Sequence, residues 1–174
     1  MSYLSHTRTK VFLYSSFTFI EYILFATVLY IIIKNARFKR IILLTSFSFI
    51  LFLIIYNYEF SVKGIDSIPI GVEAILILIF SFYYLYEQMR DMSDLFIYSR
   101  YPFWIVLGMM LYMAGSFFIY IYASQLPAKE VAKYWIFTNI FSIIKNLLFT
   151  IAIIVHSKKT EKPKVKTRPM FTMN

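Results

Sequence analysis

Three ionisable residues lie inside long apolar segments of this chain: Glu21, Glu73 and Lys145. A charge at the centre of a bilayer costs roughly 2.5–3.5 kcal/mol on insertion scales, so each group needs a partner, a wet cavity or a function. Glu21 and Lys145 both lie about eleven residues into their segments, which at about 1.5 Å per residue puts both near the middle. We therefore expect a Glu21–Lys145 ion pair. Glu73 lies about six residues into its segment, where it could line a cavity that opens to the outside.

Polar side chains accompany Lys145 along its segment. Spacings of three and four residues predict a single stripe that faces other helices or a wet cavity: Thr138, Asn139, Ser142, Lys145, Asn146 and Thr150. The candidate intramembrane polar cluster combines part of this stripe with the two acids: Glu21, Glu73, Asn139, Ser142, Lys145 and Asn146. Three interpretations remain open. The first is a structural ion pair, the second is a cavity for a ligand, ion or proton, and in the third Lys145 snorkels or Glu21 is simply protonated.

The elements that position these residues must be transmembrane helices. The 174 residues are 60% hydrophobic and 16% charged, whereas soluble domains are about 45–50% apolar and about 25% charged. Five segments approach the ~20 residues that cross a bilayer, and a backbone in lipid must satisfy its own hydrogen bonds. The prediction is an all-α, polytopic transmembrane bundle over residues 1–156 with spans at about 11–33, 41–58, 68–87, 103–123 and 135–156.

Basic residues predict the orientation of the bundle. Twelve of the 18 Lys and Arg residues lie in the first and third connections and the C-terminal tail, and five lie on the other side. The positive-inside rule then places the N-terminus outside and the C-terminus in the cytoplasm of a bacterial inner (plasma) membrane. Residues 157–174 are predicted to form a basic, disordered cytoplasmic tail near anionic headgroups. Anionic lipid and orientation account for the net charge of +9 without nucleic acid.

Two glycines predict a close helix–helix contact. Gly108 and Gly115 are seven residues apart on the fourth segment, and small residues on one helical face let a neighbouring backbone approach.

Catalytic chemistry finds little support in the residue types. Cysteine is absent, and the two histidines, His6 and His156, are far apart in the sequence. No paired-carboxylate, phosphate-loop or metalloprotease motif is present. The expectation is a protein that is not an enzyme and that has no cofactor or metal site.

Three short stretches carry a resemblance to a known group. Residues 66–74 read DSIPIGVEA, residues 101–108 read YPFWIVLG, and residues 112–118 read YMAGSFF. These resemble a group of uncharacterised multi-pass membrane proteins of Bacteroidota, some of which are encoded beside sensor-kinase genes. The resemblance implies seven helices and carries no catalytic or binding residues. Two helices upstream would explain how a tail with Arg8 and Lys10 comes to lie outside; otherwise this short tail crosses unaided.

Three functions fit these patterns. The first is a receptor-like or accessory signalling protein with a polar bundle interior, which has the bilayer, a membrane signalling partner or further copies of the chain as partners. The second is a small transporter or transporter subunit that uses Glu21, Glu73 and Lys145 as a relay. The third is a structural membrane scaffold. Transporters commonly have discontinuous helices, and only residues 69–71 indicate an interruption, which favours the first function.

Overall fold

The computed structural model describes residues 2–60, 67–90, 97–123 and 128–160. Within these ranges the chain folds into five α-helices and contains no strand, which confirms the predicted all-α bundle. A single 3-10 turn, Ile97–Ser99, precedes the fourth helix. The helices are α1 (Ser2–Ile32), α2 (Ala36–Phe60), α3 (Ser67–Arg90), α4 (Tyr101–Ala123) and α5 (Ala128–Thr160).

Most of the helices extend beyond the predicted spans. The α1 helix begins at Ser2, and α5 continues through Ser157–Thr160, which the sequence had assigned to the disordered tail. The rest of that tail, residues 161–174, lies outside the described residues. Apolar length matches only the hydrocarbon layer, whereas the backbone hydrogen bonds of a helix continue into the headgroup region. Hydropathy therefore underestimates helix length.

Four helices are long and apolar enough to cross a bilayer, which indicates a membrane protein. These spans are Ala36–Tyr56, Ile68–Arg90, Tyr101–Ile119 and Lys133–Lys158. The α1 helix contributes the shorter apolar stretch Ser16–Ile32 among the described residues. Large apolar side chains cover the outside of the bundle; Leu44 is 69% exposed and Phe47 is 64% exposed. Lipid would cover these side chains.

The interior is built around α3 and α4. The α3 helix packs against α1, α2 and α4, while α4 packs most extensively against α5. Buried side chains from α1, α2, α3 and α4 form the core, including Leu29, Phe49, Ile77, Val106 and Met109. The α5 helix takes most of its contacts from α4, which is its main packing surface.

The two α4 glycines make the predicted close contact. A Cβ atom built on Gly108 would lie 3.1 Å from the Phe149 ring and 3.3 Å from the carbonyl oxygen of Lys145. A Cβ atom on Gly115 would overlap the Phe141 ring. The absence of a side chain at these positions lets α5 approach α4 closely on both sides of Lys145.

The Glu87 carboxylate joins the α1–α2 connection to α3. These residues lie at the end of the bundle where α1, α3 and α5 finish, which we call the basic end. The Glu87 carboxylate accepts hydrogen bonds from the backbone N–H groups of Lys34 (2.9 Å) and Asn35 (2.8 Å). The Asn35 side chain caps α2 through the Arg37 N–H and donates to the Tyr83 hydroxyl. The sequence had placed Glu87 only at the end of a span.

Candidate functional site

The structure brings Lys145 of α5 to Glu21 of α1. The Nζ atom of Lys145 lies 3.7 Å from Oε1 of Glu21, and the two side chains are 15% and 12% exposed. Lysine and carboxylate charges at this separation attract each other strongly when little water surrounds them. The contact is longer than a direct hydrogen bond, so the two groups are paired by charge without a tight geometry.

Aromatic rings complete the surroundings of the lysine. The Nζ atom lies 3.9 Å from the ring centroid of Tyr112 and 5.4 Å from that of Phe25. Both distances fall within the range of cation–π attraction, which is larger where water is excluded. The Tyr112 hydroxyl also donates to Oε2 of Glu21 at 3.5 Å, which is long for an O–H···O hydrogen bond. Tyr112 therefore joins α4 to the pair between α1 and α5.

Glu73 is enclosed, in contrast to the outward-opening cavity that its position predicted. The residue is 1% exposed, and its Oε1 atom has no hydrogen-bond partner among the described residues. The sequence could place Glu73 by depth alone, whereas exposure depends on how neighbouring helices close around α3. Glu21 thus faces a cation on α5, whereas Glu73 is enclosed on α3.

The predicted polar stripe of α5 divides between two faces. Thr138 is buried, while Ser142 and Lys145 are half-buried. Asn139, Asn146 and Thr150 are exposed on the outside of the bundle, so this bundle does not bring all six residues against its own helices. Adjacent residues of a helix are rotated by about 100° about its axis. Lys145 can therefore face the bundle while Asn146 faces outward. Of the predicted cluster, the structure brings Glu21 and Lys145 together, while Glu73 is buried and Ser142 is half-buried.

Sequence reasoning missed two tyrosines beside the acids. Tyr22 is 1% exposed and shares a hydrogen bond of 2.9 Å with the Ser46 hydroxyl of α2. Tyr112 contacts both members of the ion pair. The chain has 15 tyrosines, and tyrosine is common at membrane interfaces, so its presence in a span gave no signal of a polar contact.

An apolar groove runs beside the ion pair towards the basic end. It has a volume of about 460 Å³ and is lined by side chains of α1, α4 and α5. Phe25 lines this groove and also contacts the Lys145 ammonium group. Leu24 and Ile153, which are 59% and 66% exposed, extend the groove to the outer surface of the bundle. His156 and Tyr101 lie together at its basic end with ring centroids 4.7 Å apart.

No family model, curated protein or solved structure matches the chain. The resemblance to multi-pass membrane proteins of Bacteroidota therefore stays a prediction.

Proposed function

We propose that this protein is a non-catalytic, receptor-like or accessory signalling protein of the bacterial inner membrane. One observation carries the proposal: the Lys145–Glu21 pair joins α5 to α1, two helices whose main packing partners lie elsewhere. A pair that bridges two elements can change when a bound molecule or an altered charge favours another arrangement. In this proposal the pair sets the position of α5, and α5 carries the change to the basic tail in the cytoplasm.

The groove supports an apolar, lipid-like ligand for such a receptor. Its lining reaches the lipid-facing surface through Leu24 and Ile153, so a chain-shaped molecule could enter from the bilayer. A molecule in the groove would contact Phe25 and thereby disturb the surroundings of Lys145. Both features belong to one continuous part of the bundle, which couples occupancy of the groove to the pair.

Glu73 keeps a transporter as the second candidate. Glu73 is buried in the same bundle as the Glu21–Lys145 pair, and three titratable groups within one bundle could pass a proton between them. Proton flux distinguishes the two functions. It is measured with purified protein in liposomes that contain a pH-sensitive dye, after a membrane potential is applied. The receptor proposal expects the same proton flux for the wild type and for Glu21→Gln/Lys145→Met. A wild-type flux that the double substitution abolishes would replace it with the transporter.

The third candidate function, a structural membrane scaffold, is tested by the yield of folded protein in detergent. If Glu21→Gln and Lys145→Met each abolish folding in detergent and the double substitution restores it, the pair serves only to hold the helices together. The receptor proposal expects all three variants to fold, because the glycine contact between α4 and α5 does not depend on the pair. Thr27→Val, an exposed change on α1, is the matched control for handling and detergent effects.

A further inference from the structure

The outer face of α5 carries two asparagines with no visible partner. Asn139 and Asn146 are exposed, and no hydrogen bond joins either carboxamide to another side chain in the described ranges. Only 6% of the apolar span of α5 is buried within the bundle, the lowest value of the four spans. Lipid chains satisfy exposed isoleucine and leucine, but they offer nothing to the donors and acceptors of a carboxamide.

The two asparagines belong to a regular seam. Exposed residues recur on this face at alternating spacings of three and four, which is the repeat of a left-handed coiled coil. We call this surface the α5 seam; its members are Ile136, Asn139, Ile143, Asn146 and Thr150. The face that contacts α4 lies on the other side of the helix, where Gly108 and Gly115 receive Phe149 and Phe141. The seam is therefore available to a further helix without any change in the bundle.

We propose that the α5 seam binds the α5 seam of a second copy of this chain and forms a parallel transmembrane dimer. A carboxamide both donates and accepts, so an asparagine on a two-fold axis can pair with its own counterpart. Two copies inserted with the same topology run parallel at α5 and meet at equal depth. Both asparagines, about 10 Å apart along the helix, then find partners in a single register. A different partner would need two polar residues at the same separation.

Cysteine cross-linking tests the dimer because the chain has no native cysteine. Thr150→Cys lies on the seam, and Ile151→Cys, the adjacent and also exposed residue, is the matched control off the seam. Oxidation of membranes that contain either full-length variant should give a disulfide-linked dimer for Thr150→Cys and little for Ile151→Cys. Equal linking of the two variants, or no linking of Thr150→Cys, would overturn the proposal.

A second comparison tests the role of the asparagines. Asn139→Leu and Asn146→Leu are placed together in the Thr150→Cys background, because leucine suits a lipid-facing position and should leave the monomer folded. Loss of two interhelical hydrogen-bonded contacts should weaken association by roughly tenfold. The leucine variant is judged folded if its monomer elutes as a single species in detergent. If the folded leucine variant links as efficiently as its parent, the asparagines do not hold a dimer and the proposal is wrong.

Discussion

Lys145 makes its principal side-chain contacts with two helices other than its own. Glu21 of α1 supplies a charge, while Tyr112 of α4 and Phe25 of α1 supply ring faces. Together these contacts offset the free-energy cost of placing one ammonium group within a bilayer. The residue therefore reports on the relative positions of α1, α4 and α5.

The coupling between Lys145 and Glu21 is measurable by a double-mutant cycle. Glu21→Gln and Lys145→Met, alone and together, should show a coupling of about 0.5–3 kcal/mol in the free energy of unfolding, because the residues are in contact. Reversible unfolding in detergent followed by circular dichroism gives these values. Additive effects of the two changes would show that the pair contributes no interaction of its own.

Replacement of Glu73 should raise the stability of the protein, whereas replacement of either member of the Lys145–Glu21 pair should lower it. Its Oε1 atom is buried without a hydrogen-bond partner in the described ranges, and an unsatisfied buried polar group costs roughly 1–3 kcal/mol. Glu73→Met keeps most of the volume and removes this penalty, so thermal stability in detergent should rise. Ile77→Met on the same buried face is the matched control and should change stability little. A lower unfolding temperature for Glu73→Met alone would reveal a stabilising role for the carboxyl.

At the scale of the helices, glycine determines how α4 and α5 meet. Gly115→Ala should lower thermal stability, because its Cβ atom would overlap the Phe141 ring. Gly71→Ala provides a matched control, since its Cβ atom would lie 3.9 Å from Phe117, an ordinary contact distance. There the higher helix propensity of alanine should leave stability equal or slightly raised. Equal responses at the two sites would argue against the close contact.

The connection between α1 and α2 depends on Glu87. Glu87→Gln removes the negative charge that accepts two hydrogen bonds from backbone N–H groups. It also replaces one carboxylate oxygen with an NH2 group, which donates hydrogen bonds and cannot accept them. The free energy of unfolding should fall by about 1–3 kcal/mol, with faster hydrogen exchange at Lys34 and Asn35. Arg90→Gln, an exposed change near the same end of α3, is the control. Unchanged exchange at both amides would show that the connection holds without the carboxylate.

At the scale of the molecule, the sequence predicted the helices well and their mutual contacts less well. Apolar runs specify helices because lipid leaves the backbone no alternative, and Gly108 and Gly115 specify a close approach because they lack a side chain. The depths of Glu21 and Lys145 placed them at one level. Depth does not give rotation about the helix axis, and for this reason the enclosure of Glu73 and the outward position of Asn139 and Asn146 could not be predicted.

The distance between α1 and α5 at the basic end tests the central claim, that the Lys145–Glu21 pair sets the position of α5. Spin labels at Ile31→Cys and Ser157→Cys, both exposed positions, report this distance when labelled protein in lipid is diluted with unlabelled protein. Glu21→Gln should shift the mean distance by about 2 Å or more, or broaden its distribution, while Thr27→Val should leave it unchanged. A folded Glu21→Gln variant with the wild-type distance distribution would contradict the account.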